Sequence, residues 1–279
     1  MAVSTAVRRI GAGLVAVAVL VAAAVVGVHV FRHHNSPPPS CVVSRTTTGS
    51  AGPQTVSYTL DIDQAVNSTT IAVVGKRLGL PDHAVTVALA AALQESKLHN
   101  LPYGDRDSLG LFQQRPSQGW GTTSEILTPS YAAAAFYREL KKVDGWETIP
   151  VTDAAQKVQR SGAPTAYMQW ELEARTIATA LTGETAAGLS CRFALSPSPE
   201  PPPSPVPSLN TELGVSTLDR TFVTPQGWMI ASWLVAHAQQ FRVVTVSYGG
   251  REWRSSTGRW KGKVPNESRV RYSQQPVST

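Results

Sequence analysis

Apolar residues return at helical spacing through Val85, Leu89, Ala92 and Leu93, behind the start signal Pro81-Asp82, and this predicts a buried helix over 82–97. The same period predicts further helices over 71–78, 130–142, 154–160 and 164–181. Pro129 and Asp153 mark two of the starts, and Gly183 suits the last end. Long alternating strands are lacking over 55–193, so this part reads as one mainly α domain with a cleft. The pattern breaks at LSPSPEPPPSPVPS, and 194–209 reads as a spacer whose proline-rich residues 195–208 would extend some 40 Å in polyproline II geometry, at about 3.1 Å per residue. Periodicity then resumes. Residues 225–241 repeat apolar positions (Trp228, Ile230, Trp233, Leu234), 242–248 alternate, Gly249-Gly250 turn, and 252–254 begin a partner strand. These predict a small basic α+β module over 210–276.

The N-terminal pattern is of a different kind. Residues 10–31 carry no Asp, Glu, Lys or Arg and are nearly all Ala, Val, Leu and Gly, long enough as a helix to cross a hydrocarbon core of about 30 Å. They predict one transmembrane helix, with 1–9 cytoplasmic and the remainder outside a cell membrane crossed once; Arg8 and Arg9 against Arg32 set that orientation. A cleaved signal peptide is the alternative, but Val28-His29-Val30-Phe31 offers no small-x-small site. The Ser/Thr/Pro-rich stretch 32–54 has no period and reads as a tether. Cys41 and Cys191, the only two cysteines, bracket the predicted domain, a placement that predicts a disulfide in an oxidising exterior.

Composition changes this picture little: 42% hydrophobic residues is ordinary for a globular chain. The formal net charge of +6 points to an anionic partner, whether wall polymer, phospholipid or nucleic acid. Much of the excess lies in the last module, where Arg242, Arg251, Arg254, Arg259, Lys261, Lys263, Arg269 and Arg271 surround Trp253 and Trp260. Basic and aromatic interleaving suits single-stranded nucleic acid. An external domain disfavours it and leaves a wall polymer or a protein partner, while a solvated face over a small tryptophan core accounts for the pattern equally well. The chain has no His-Glu-x-x-His, Cys-x-x-Cys, Gly-x-Ser-x-Gly or phosphate-loop motif, so no metal and no cofactor is expected. His33 and His34 read as a polar flank.

Candidate chemistry concentrates in 85–116. Glu95 follows Ala91 and Ala92 near the end of the predicted helix, where partial burial and the negative helix end both disfavour a charge and raise the carboxyl pKa, as a general acid requires. Ser96 follows it, and after a polar loop come Ser108, Leu109, Gly110, Leu111, Phe112 and Gln113. Glu-Ser at a helix end with a following Gly-Leu-aromatic-Gln turn resembles the lysozyme-like soluble lytic transglycosylases, over about residues 60–181. The resemblance implies a lysozyme-like fold, peptidoglycan glycan strands as partner, and cleavage of the β-1,4 bond between N-acetylmuramic acid and N-acetylglucosamine. It makes Glu95 the acid and then the base, and places Ser96, Ser108, Gly110, Phe112 and Gln113 along the sugar cleft. Where many members carry Tyr-Asn-Ala-Gly, this chain reads Val158-Gln159-Arg160-Ser161-Gly162, which leaves an assisting tyrosine open between Tyr137 and Tyr167.

Of the aromatics Tyr103, Trp120, Tyr131, Trp146, Tyr167 and Trp170, Tyr103 and Trp120 flank the motif and are the expected ligand contacts, with Tyr167 a third candidate. Asp105 and Asp107 read first as a turn pairing with Arg106. In the nearest rival, a hydrolytic lysozyme, one of them positions water. The remaining rival is a noncatalytic wall-binding or assembly protein that keeps the cleft.

Overall fold

A computed structural model describes residues 38–50, 52–163, 165–262, 265 and 267–278, and Pro39–Thr279 form one contact unit. The first element overturns the tether. β1 (Ser40–Gly49) and β2 (Gly52–Leu60) form an antiparallel hairpin, with Cys41 opposite Leu60 and Gly49 opposite Gly52. Cys41 and Val43 alternate inward and are fully buried, whereas the Thr-rich tip is exposed on both strands. β-Branched residues favour the extended chain, and the two inward positions suffice to dock it. A third strand, β3 (Leu189–Arg192), pairs on the other side of β1 and sets Cys191 directly opposite Cys41. The two cysteines form a buried disulfide.

Five α-helices carry most of the core beneath this sheet. α1 (Ile62–Arg77) starts nine residues before the predicted boundary, because Asp61 and Gln64 make a reciprocal capping box. The polar run Asn67–Thr70 hides the period, yet these side chains are buried. Ser68 and Thr69 donate back to the carbonyls of Gln64 and Ala65, and Asn67 donates to that of Leu98. α2 (Asp82–Ser96) ends one residue short of its predicted span and lies at the centre, with Ala84–Leu93 buried on every side. It packs against α1, α4 (Pro129–Leu140), α5 (Val151–Gln159) and α6 (Glu171–Leu181). The four-residue α3 (Thr123–Ile126) precedes α4.

The spacer does not stay extended. Its last residues enter α7 (Val206–Leu213), and the segment before it runs along the C-terminal part, where Arg242 and Gln274 donate to the carbonyls of Glu200 and Pro203. α8 (Thr224–Ala236) follows, apolar all round and buried from Gly227 to Ala236. Then come β4 (Val243–Tyr248), β5 (Arg251–Arg254), β6 (Arg259–Gly262) and β7 (Arg271–Gln274), in the sheet order β6-β5-β4-β7. α8 packs on β4 and also on β3, α1 and α6. The indoles of Trp253 and Trp260 donate to the carbonyls of Cys191 and Leu189, at 3.0 and 2.7 Å. Both tryptophans thus face inward and hold the four-stranded sheet against the three-stranded one.

The architecture is therefore mixed α/β, with seven strands in two antiparallel sheets among the described residues, in place of the expected mainly α lysozyme-like domain. The expected membrane helix at 10–31 lies outside the described residues. Among those described, no helix is long and apolar enough to cross a membrane. The single-pass placement and the membrane partnership accordingly have no structural support and are not retained.

Candidate functional site

α2 ends at Ser96 because Lys97 and Leu98 both turn left-handed, at φ 54° and 65°, and the Leu98 N–H closes back on the Ala92 carbonyl. This stop fixes Glu95 on the last turn, facing α5 and the segment before α6. The Tyr167 hydroxyl donates to Glu95 Oε1 at 2.7 Å. The Gln159 amide, at the end of α5, also donates to this carboxyl and bonds the Phe112 carbonyl at 2.9 Å.

Burial raises the Glu95 pKa above its ordinary value; the Tyr167 and Gln159 hydrogen bonds and the Lys97 charge oppose the rise without cancelling it. The Tyr167 phenol is pushed well above its usual range, first by burial and then by the facing carboxylate, so it acts as a fixed donor. Tyr137, the other tyrosine left open by the sequence, is fully buried in the core and donates to the Ile71 carbonyl at 2.9 Å, away from this site.

Around the pair the polar groups are interlocked. Lys97 Nζ stands 3.9 Å from the centre of the Trp170 ring, and the Trp170 indole donates to Gln94 Oε1 at 2.8 Å. Burial lowers the Lys97 pKa against the pull of Glu173 and Glu95, and burial raises that of Glu173. Gln94 and Glu173 were not singled out in the sequence, and Gln159 and Trp170 stand there only within a departing segment and among the aromatics, with no role beside Glu95. The one available signal was Gln156 and Gln159 interrupting the apolar stripe Val151, Ala154, Ala155 and Val158.

The 108–114 turn is brought to this helix end, but mostly as support. Ser96 is buried, and its hydroxyl donates to the Leu111 and Ala92 carbonyls at 2.8 and 3.1 Å. Phe112 is buried and stacks on Phe136 at 4.8 Å between centroids. Gly110, at φ 76°, sits where a Cβ would lie 2.8 Å from the Ile126 carbonyl oxygen. Ser108 is buried, its N–H on the Asp105 carbonyl, and Leu109 pairs with Gln114 to close the turn. Gln113 is half-buried at φ 47°, with its amide donating to the carbonyls of Tyr103 and Gly110. Tyr103 is exposed.

Asp107 binds Arg115 at 2.7 Å and the Ser117 N–H at 2.8 Å, bonds that hold its carboxyl well below the usual carboxylate range. Asp105 is almost wholly exposed. Beside Gln159 opens a groove of about 430 Å³ that Trp120 also lines. No group of three or more His, Cys, Asp or Glu able to hold a metal occurs among the described residues.

The chain matches no family model and no curated protein. The resemblance to the soluble lytic transglycosylases is therefore not upheld. With it fall peptidoglycan cleavage, the hydrolytic and wall-binding rivals, and peptidoglycan as a partner. The physical reason lies in the motif: Ser96, Gly110 and Phe112 serve the packing of a helix stop against a turn, a demand that unrelated folds share.

Proposed function

We propose that the chain is an enzyme in which Glu95 transfers a proton to and from a polar substrate held beside α5. The observation that carries this reading is a carboxyl group raised in pKa by burial, oriented by the Tyr167 hydroxyl at 2.7 Å and linked through Gln159 to an open groove. A general acid works best when its pKa lies near the working pH, and burial is the commonest way to bring a carboxyl there. With Asp107 bound to Arg115 and Ser117, the reading requires one proton-transferring centre and no partner carboxylate. Carbon-13 titration of the Glu95 side chain should give a midpoint above 4.5. Turnover of a panel of polar esters, amides and phosphate esters, followed by mass spectrometry, should fall at least about a hundredfold in Glu95→Gln. An ordinary carboxyl midpoint, or undiminished turnover by that variant, overturns the assignment.

A further inference from the structure

The groove beside Gln159 is bounded by Trp120, Ala135, Arg138, Glu139, Val158 and Arg160, and the Gln159 side chain connects it to the Glu95 carboxyl. Its charges are unbalanced. Glu139 is neutralised by Lys142 at 2.6 Å, whereas neither Arg138 nor Arg160 takes part in an ion pair among the described residues. Arg138 stands over the Tyr131 ring at 5.5 Å, and the nearby Glu125 already accepts from the Thr122 N–H and hydroxyl. Arg160 stops α5 in a left-handed conformation at φ 51°, a backbone state that costs an arginine more than the glycine usual there. Two guanidinium groups and the face of a half-buried tryptophan therefore meet at the wall of one concave site.

We propose that this groove receives the anionic group of the substrate, Arg138 and Arg160 taking a carboxylate or phosphate while Trp120 covers the adjoining flat apolar part. Guanidinium forks match both oxyanions in geometry and are weakly hydrated, so they exchange water for the anion readily. The inference rests on the Glu95 reading for its meaning, since it names the substrate class of that site as acidic molecules with a flat face.

Benzoate and phenyl phosphate are probes of the two anion sources, with benzyl alcohol as the neutral control. In full-length protein, either anion should shift the Arg138 and Arg160 side-chain N–H signals and the Trp120 indole N–H signal, and benzyl alcohol at equal concentration should not. Which anion binds more tightly identifies the source. The variant carrying Arg138→Gln and Arg160→Gln changes two exposed side chains and should lose at least tenfold in affinity, with an unchanged circular dichroism spectrum. Equal binding of benzyl alcohol, no binding of either anion, or unchanged affinity in the double variant overturns the proposal. Titration of Glu95 in the wild-type protein separates the two readings. If anions bind while Glu95 titrates as an ordinary carboxyl, the proton-transfer reading fails and the anion site stands; a raised Glu95 midpoint without anion binding gives the reverse.

Discussion

Glu95 shows how far single residues can be read from a linear pattern. Its place near a helix end, after two alanines, announced a partly buried carboxyl, and that much follows from spacing alone. Its partners did not, because Gln159 and Tyr167 are 64 and 72 positions away and only the docking of α5 and the segment before α6 delivers them. A raised folded-state pKa means that the folded protein holds this proton more tightly than the unfolded chain. The resulting stability is present below about 4.5 and is lost as pH rises through the folded value. Glu95→Gln escapes this loss, so its melting temperature relative to wild type should rise with pH above 4.5; a constant offset from pH 4 to 8 contradicts the shift. Tyr167→Phe removes a bond that favours the ionised form and should raise the Glu95 midpoint further, readable in the same carbon-13 titration.

At the scale of elements, the reading succeeded where one face is apolar and failed where polar side chains are buried with partners. α2 was legible because Val85, Leu89, Ala92 and Leu93 return at helical spacing behind a start signal, although in the fold Ala84–Leu93 are buried on every side. The start of α1 was not, since Asn67, Ser68, Thr69 and Thr70 look like a loop until the bonds of the first three to backbone carbonyls, and of Thr70 to the Glu212 carboxylate, are seen. The hairpin β1–β2 was missed for the opposite reason: only Cys41, Val43 and Leu60 are buried in it, and a long Thr-rich tip dilutes them. The turn at 108–114 depends on two contacts that a denaturation series can weigh. Ser96→Ala leaves the Leu111 carbonyl without its buried donor and should cost about 1–3 kcal/mol. Gly110→Ala combines a positive φ with a 2.8 Å clash against the Ile126 carbonyl and should cost roughly 2 kcal/mol or more. Retention of wild-type urea midpoints by both would show that the turn is not rigidly held.

For the molecule as a whole, the proline-rich composition of 194–209 suggested separation, and the tryptophans beyond it carried the contrary information. A short module has little core of its own, so Trp253 and Trp260 find their hydrogen-bond partners on β3, and Ser232 finds one in the Ala180 carbonyl. Residues 39–279 should consequently melt in one calorimetric transition, and two resolved transitions would contradict the shared core. Gly183→Ala tests the junction directly, because at φ 83° its Cβ would come 1.9 Å from the Pro225 carbonyl oxygen, and a loss on the order of 2 kcal/mol is expected.

The Cys41–Cys191 bond has a mechanical consequence. It joins residues 150 positions apart, one near the beginning of the described chain and the other at its last strand before α7. Tension applied between Pro39 and the C-terminus passes from one sulfur to the other and bypasses everything between them, including Glu95, Gln159 and Tyr167. Pulled in an optical trap, the oxidised protein should withhold roughly 500 Å of contour length, at about 3.5 Å per residue, and release it only after reduction. The segment that carries Glu95 is thus sheltered from load carried along the chain, whatever force its termini bear.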